Sequence, residues 1–594
     1  MKAIILAAGY GRRMRPLTND CHKTLLRIGE TTIIERIVDS LRYHAVTDII
    51  VVTGYLSEQL RAFLCSRYKD VQFTFVHNEH YATTNNIHSL HLAISSVNID
   101  DDILLIESDL IYEDAVLEKI LASRHDNVAL VERYRSGMDG TVVTVDNGVI
   151  TSIIPPHLQK GDFNFSDKYK TLNIYRFSKE FCKNTFFKLL SFYSNVIDNN
   201  CYYELILGIL IYMQRENIYA EVLDGERWSE VDDPNDLRVT EFIFHEKKQK
   251  EILETSYGGY WNYAILDFGF IRNMHFPTPS LIAEIRASLP HLLVNYGSSQ
   301  TILNEKLAFF MVCNKKNINL LNGAAQAFPL LAQLFGEKRC LVPKPTFGEY
   351  NRWFGNCSYY TDSFSLSMDE IKKESDCCDV VIFVNPNNPT GSFIASEKIF
   401  TFAAGNPQKT IVIDESFIDF SADPGMIPLL EKNPLQNVIV LKSLSKVLGV
   451  PGLRLGCIYS CNPEFNEFIF SRIPIWNTNS IAEFFLEIIL KHRNELEASF
   501  NATIEDRAEF ITLLSQLPFV HRVYPSEANF VVIELADTFS HPEKIVPDLL
   551  SQKSIFIKDI SGRFNDGKQY FRLAVRLPED NKKLAQCLRE IILS

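Results

Sequence analysis

Residues 438–456 read VIVLKSLSKVLGVPGLRLG, and the reading of this stretch decides the fold of the carboxyl-terminal half. Its apolar opening, 438–441, predicts a short buried strand that stops at Lys442 and Ser443. Ser443, Ser445 and Lys446 follow on a predicted loop, and Arg454 stands eight residues beyond Lys446. A lysine that forms a Schiff base needs a neutral amine close to a cation or a desolvated site. An arginine with hydroxyls near it can hold a phosphate and supply such a site. A lone SxxK after a strand is more often a surface lysine, so the flanking motifs carry the decision.

Outward from this stretch the motifs keep a fixed order. Asn322-Gly323-Ala324-Ala325-Gln326 would turn free N–H groups at a helix start toward a phosphate. Phe347 lies in PTFGEY, Asn388 in NPNNPTG, Asp414 at the end of a strand-like run 410–413, and Arg572 in YFRLAVR. Together these resemble the fold-type I aminotransferases that use pyridoxal phosphate (PLP), over about 260–594. Within that superfamily they are most similar to histidinol-phosphate aminotransferase and threonine-phosphate decarboxylase. The resemblance implies that Lys446 is the lysine joined to PLP, with Ala324, Ala325, Ser443 and Arg454 about its phosphate. Phe347 would stack on the pyridine ring, Asn388 would contact the cofactor, and Asp414 would keep the pyridinium nitrogen protonated. Arg572 would receive the substrate carboxylate, with Arg576 as a second anion contact. Tyr296 resembles a tyrosine that reaches the cofactor phosphate of a neighbouring subunit, which implies a homodimer. One departure is Phe417, where many aminotransferases carry a tyrosine bonded to the cofactor. It tilts the resemblance toward phospho-amino-acid decarboxylases without deciding between decarboxylation and transamination.

The amino-terminal half opens on a predicted strand, residues 2–8, followed at once by Gly9-Tyr10-Gly11-Arg12-Arg13. Loop N–H groups can face phosphate oxygens there while arginines neutralise charge. Predicted strands at 48–53, 72–77 and 103–107 alternate with helical stretches such as 32–43, as a Rossmann-like α/β sheet requires. The run LAAGYGRRMRPLT, with Lys23 beyond it, resembles nucleotidyltransferases that make sugar nucleotides or CDP-alcohols, over about 1–240. The resemblance implies nucleotide contacts from Ala8, Gly9, Gly11, Arg13 and Lys23, the last two on the triphosphate, and Mg²⁺ held by Asp109 and Asp232. Mg²⁺ prefers one or two carboxylates plus substrate oxygens. YATTNNIHSLHL, residues 81–92, is similar to the NNxxSL region of choline-phosphate cytidylyltransferase, with Asn85, Asn86 and Ser89 as matching residues. Tyr202, Tyr203 and Glu204 fall where that family surrounds an ammonium with aromatic and acidic groups, a sound physical arrangement. Tyrosines in helix core are the plain alternative.

A chain of 594 residues exceeds one core. The expectation is an α/β protein with a nucleotidyltransferase domain over 1–245, a linker over 246–259 and the PLP domain over 260–594. Asp233 before Pro234 is the expected cap of a helix that leads into the charged HEKKQKE stretch. A net charge of −13 argues against a general nucleic-acid binder. Twelve cysteines without CxxC spacing suit a reduced, cytoplasmic protein. No run of apolar residues is long enough for a membrane span. The two resemblances together imply a bifunctional enzyme that makes a small phosphorylated amine and joins it to a nucleotide, CTP being the expected donor. A sugar-phosphate nucleotidyltransferase fused to an aminotransferase, or an aminoethylphosphonate transaminase and cytidylyltransferase, are the alternatives.

Overall fold

The computed structural model describes residues 1–135, 137–161, 163–536 and 541–593. The chain forms two compact units, Met1–Ala264 and Ile265–Ser594. In the first, a nine-stranded sheet runs in the order Gln72–His77, Asp48–Thr53, Lys2–Ala7, Ile103–Glu107, Tyr169–Phe177, Val128–Arg133, Tyr219–Leu223, Val149–Ile154 and Val142–Asp146. The first four strands are parallel. Their apolar residues alternate between two cores: Ala3, Ile5, Ile49 and Val51 pack on one face, Ile4, Leu6, Ile50 and Val52 on the other. Both faces are therefore covered, as parallel strands require. The chain leaves Lys2–Ala7 in one direction and later returns to its other side at Ile103–Glu107. Ligands bind beyond the carboxyl ends of strands at such a reversal, and Ala8–Gly9 and Asp109 stand there.

In the second unit a seven-stranded sheet runs Ile318–Asn322, Leu455–Ser460, Val438–Ser443, Thr410–Asp414, Val380–Val384, Cys340–Lys344 and Cys357–Thr361. Leu455–Ser460 runs opposite to the other six strands. A four-stranded antiparallel sheet of Val520–Tyr524, Phe530–Leu535, Tyr570–Ala574 and Lys558–Asp559 carries Arg572. The strand before Lys446 extends to Ser443, and Lys446 stands on one helical turn, Leu444–Val447, where a loop was expected.

The expected linker 246–259 differs more. Pro234–Phe244 is a helix capped by Asp233, whose side chain accepts from the N–H groups of Asn235 and Asp236. A second helix, Glu246–Ser256, then packs back on it, with Gln249 and Leu253 buried and Gln249 Nε2 donating to Phe242 O at 2.9 Å. Its charged exterior hid this narrow buried stripe, and the boundary falls after Ala264. Among the described residues no helix is long and apolar enough to cross a membrane.

The turn bearing Lys446 is strapped by the segment before it in sequence. Asn273 N donates to Lys446 O at 2.8 Å and Asn273 Nδ2 to Val447 O at 3.0 Å. Gly449, with φ +63°, lets the strap approach, because a Cβ there would collide with the backbone oxygens of Phe276 and Asn273. Gly449→Ala is expected to cost at least about 2 kcal/mol in denaturant unfolding of the second unit. Gly452→Ala, whose Cβ would meet nothing within 4 Å, is expected to stay within about 0.5 kcal/mol. Equal effects would remove the role assigned to the strap.

Candidate active sites

The first site is a cavity of about 450 Å³ at the strand ends of the amino-terminal sheet. One side is the glycine loop: Ala8, Gly9 and Gly11 line it with Arg13 and Lys23. Gly11 is left-handed at φ +58°, turning the chain into the short helical turn Arg12–Met14. Lys23 Nζ lies 2.9 Å from Asp109 and 2.8 Å from Asp232, while Arg13 lies 2.7 Å from Asp232. The two expected carboxylates and two expected cations are thus brought together as one cluster. Against the opposing effect of burial, Asp109 and Asp232 raise Lys23 above the ordinary lysine range. Lys23 and Arg13 likewise hold Asp232 below the usual carboxylate range, again against burial. Asp109 Oδ1 is buried without a partner, so the cluster retains coordinating capacity.

Another part of the cavity lining is acidic. Asn85 caps the helix Asn86–Ser96 by accepting from Asn86 N. Asn86 Nδ2 donates to Glu107 Oε1 at 3.1 Å, and its Oδ1 accepts from Tyr203 N at 2.9 Å. Ser89 is buried and receives Asn78 Nδ2 at 3.1 Å. Glu204 lines the cavity with Oε2 buried and unpartnered. Tyr203 does not line it: its ring is fully buried against Tyr175 in the core beneath the sheet, and of the adjacent pair it is Tyr202 that lines the cavity, with Tyr81. A tyrosine at the foot of the helix Glu204–Tyr212 turns inward when its neighbour faces out, which sequence spacing did not resolve.

Glu107, Glu230 and Lys170, none marked by a motif, complete this wall. Burial, with Asp109 and Glu204 nearby, pushes Glu107 well above the carboxylate range. Burial raises Glu204 also. Glu230 is pushed up to about 7 by burial, with Lys170 opposing and Asp109 and Asp232 adding.

In the second unit Lys446 is half-buried, with its amine 4.0 Å from the Phe417 ring centroid and 5.9 Å from that of Phe347. Burial, assisted by Arg572 and opposed by Asp414, lowers it to about 8. Asp414 accepts from Tyr350 Oη at 2.9 Å, from Ser416 N at 3.0 Å and from Ser416 Oγ at 2.5 Å. Ser443 N in turn donates to Ser416 Oγ at 3.2 Å. The guanidinium of Arg454 packs against Gly323, at the entrance to the short helix Ala324–Gln326. Gly456 has no room for a Cβ against Ala324 N, so bare backbone at both glycines brings these groups together. Arg572 donates to Asn388 Oδ1 and to Gly269 O, each at 2.6 Å, and its Nε is buried without a partner.

Not every expected residue joins this cluster. The charge of Arg576 is taken by Asp580 at 2.9 Å, and its Nη1 by Asp267 O at 3.0 Å, so it is a structural arginine here. Tyr296 is 79% exposed and stacks on Trp476 at 4.4 Å.

The geometry agrees with what the chain is similar to. Residues 269–588 match the family "Aminotransferase class I and II", and residues 3–161 match "MobA-like NTP transferase domain". The CMP-5'-(3-aminopropyl)phosphonate synthase of Streptomyces rubellomurinus is 30% identical, the match covering 100% of this chain and 95% of that protein. The chain belongs to the class I and II aminotransferases. The L-serine phosphate decarboxylase of Campylobacter jejuni is 28% identical over 51% of this chain and 81% of its own length. The histidinol-phosphate aminotransferase structure from Clostridium acetobutylicum is 26% identical with a TM-score of 0.51, covering 55% of this chain and 99% of that one.

As a class I and II aminotransferase preceded by an NTP transferase domain, the protein is a bifunctional enzyme whose second unit uses PLP. The residues present fit that cofactor: a half-buried lysine lowered to about 8, a carboxylate fixed by Tyr350 and Ser416, and an arginine with an unused N–H. Sequence reading missed Tyr350 and also Asp362. Asp362 is 1% exposed and accepts from Asn387 at 2.6 Å, Thr390 at 2.6 Å and Ser392 at 2.7 Å, fixing the loop that aims Asn388 at Arg572. The many donor residues of NPNNPTGS signalled a buried acceptor, though not which one.

Only the neutral amine of Lys446 condenses with an aldehyde. Reconstitution of the PLP-free enzyme, followed by absorbance, is expected to accelerate with pH through about 8 and then level. A rate that is flat from about pH 7 to about pH 9, a tenfold change in proton concentration on either side, would contradict the assigned environment.

Proposed function

We propose that the second unit makes a small phosphorylated or phosphonylated primary amine and that the first unit transfers a cytidylyl group from CTP to it. The carrying observation is the acidic wall of the first cavity, where Glu107, Glu204 and Glu230 face a space also bounded by the glycine loop. A sugar phosphate offers no positive charge to such a wall, whereas an ammonium does. The names of the relatives, a CMP-aminopropylphosphonate synthase and a serine phosphate decarboxylase, support an amine with an anionic phosphorus group.

In the first unit, Asp109 and Asp232 would hold Mg²⁺, which supplies charge withdrawal from a triphosphate. Lys23 and Arg13 then turn from these carboxylates to the phosphate oxygens, where positive charge offsets the charge developed in the transition state. The glycine loop adds N–H donors from a backbone already held by the sheet. In the second unit, PLP when bound supplies an electron sink for a carbanion at the substrate carbon. Asp414 keeps its acceptor position through Tyr350 and Ser416, Arg572 receives the substrate carboxylate in a planar fork, and Lys446 is placed to carry a proton at the reacting carbon. Phe417 offers no hydroxyl beside Lys446, in keeping with the decarboxylase-like reading.

The protein in this reading is a cytoplasmic homodimer. Its cysteines are free, and Leu293, Val294, Ile475 and the Tyr296–Trp476 stack expose a band of apolar surface on the second unit that a second copy would cover.

Product analysis by mass spectrometry with phosphoserine or phosphoethanolamine and four NTPs tests the scheme. Asp109→Ala is expected to lower nucleotidyl transfer roughly 100- to 1,000-fold and to leave the PLP reaction unchanged. Lys446→Ala is expected to abolish the PLP reaction while supplied phosphoethanolamine is still joined to CMP. A single substitution that removes both activities from folded protein would defeat the assignment of two separate sites.

A further inference from the structure

Lys170 is an anomaly that the functions above do not use. It lies on the strand Tyr169–Phe177, is 2% exposed, and lines the first cavity. Its Nζ is 3.2 Å from Glu230 Oε2. The strand is irregular just beyond it: the register shifts between Thr171 and Tyr175, and Asn173, also at the cavity wall, is left-handed at φ +59°. Bulges of this kind re-aim side chains beside functional sites. On the facing segment Gly140, at φ +90°, makes room for the lysine head, since a Cβ there would lie 2.7 Å from Nζ. A buried ion pair gains little stability over apolar packing, so two backbone irregularities about one lysine call for a reason other than folding.

The charges of the cavity supply that reason. Lys23 and Arg13 are committed to Asp109 and Asp232 on the glycine-loop side. An acceptor whose own phosphate or phosphonate oxygen attacks a triphosphate brings two anions together, and needs a cation of its own. On the acidic wall, Lys170 is the lysine that meets this need, and Glu230 beside it is followed by the unpartnered Glu204 Oε2.

We propose that Lys170 receives the acceptor's phosphate or phosphonate group, and that the Lys170–Glu230 pair is an internal stand-in for a zwitterionic acceptor. Resting on the reading of the first unit as a phospho-amine cytidylyltransferase, the pair opens when the ligand enters. The ligand's anion takes Lys170, its ammonium takes Glu230 and Glu204, and both buried charges remain matched throughout. No covalent bond to Lys170 forms; the lysine positions the nucleophile.

Steady-state kinetics of the full-length enzyme with CTP and phosphoethanolamine test this. Lys170→Gln is expected to raise KM for phosphoethanolamine roughly 10- to 100-fold, the worth of a charge-assisted hydrogen bond. KM for CTP should stay within about 3-fold, and Lys170→Arg should restore most of the loss. A merely structural lysine would move both KM values together or lower kcat alone, and either result overturns the proposal. Should Lys170→Gln not fold, Glu230→Gln provides a second arm: with Lys170 released, KM for ethyl phosphate, which has no amine, is expected to fall below that of the wild type, and a rise would be contrary evidence. A wild-type enzyme that transfers nothing from CTP, UTP, dTTP or GTP to any phosphorylated amine defeats the underlying function. A wild type that does so, with Lys170→Gln unaltered, defeats this inference alone.

Discussion

An ammonium or carboxylate taken from water into a protein interior costs several kcal/mol even after relaxation, and both units hold such groups at their centres. In the first, Lys23 meets the cost for Asp109 and Asp232 together, with Arg13 as the outer partner. That arrangement keeps the strand ends folded and leaves cations and carboxylates ready to separate toward triphosphate and metal. In the second, Lys446 is half-buried beside Phe417 and Phe347, and the cost appears as a lysine lowered to about 8. Asp414 is buried yet satisfied by neutral donors, Tyr350 and Ser416. Opposite solutions to one problem thus suit opposite tasks: charge stored as ion pairs for a charged ligand, and charge suppressed at an amine that must attack.

These solutions depend on backbone that side chains cannot supply. Asp109 and Ala8–Gly9 meet because two parallel strands, Lys2–Ala7 and Ile103–Glu107, lie side by side with their ends in register. Arg454 reaches the turn before Ala324 because Gly323 and Gly456 lack side chains. Arg572 comes from a different sheet than Lys446, and the loop fixed by Asp362 supplies Asn388 as the guanidinium's acceptor. Substrate contact and cofactor lysine are therefore adjusted on separate elements of the second unit.

The parts legible in sequence were those written as local order. Strands 48–53, 72–77 and 103–107 appear as expected because a short apolar run is a property of each segment alone. Asp233 was legible as a cap because its proline neighbour marks the helix start. The helix Glu246–Ser256 was not, since its buried stripe is only Gln249 and Leu253 amid charge. Tyr203 and Tyr202 differ in facing by one residue at a helix start, and only packing against Tyr175 decides which is core. Arg576 read as an anion contact until Asp580, one turn into the final helix, proved to neutralise it. Lys170, Tyr350 and Asp362 had no signature because each acts through a partner distant in sequence. The aspartates beside Glu107 and Glu230 were found by motif, and a carboxylate two residues before a strand-end aspartate shares its face of the strand, a signal that was available.

The acidic wall also bears on the degree of substitution at nitrogen. A quaternary ammonium has no N–H to give, so it is held by aromatic faces, and removing Tyr203 from the wall leaves Tyr202 and Tyr81 as its ring-bearing tyrosines. In the proposed reading a primary ammonium, with three donors, meets Glu107, Glu204 and Glu230, of which Glu204 Oε2 is buried without a partner. Transamination and decarboxylation at a PLP site both deliver an unsubstituted amine. In the proposed reading, the chemistry of the second unit and the hydrogen-bonding needs of the first therefore select the same nitrogen, and methylation of the intermediate would disqualify it at both sites for separate physical reasons.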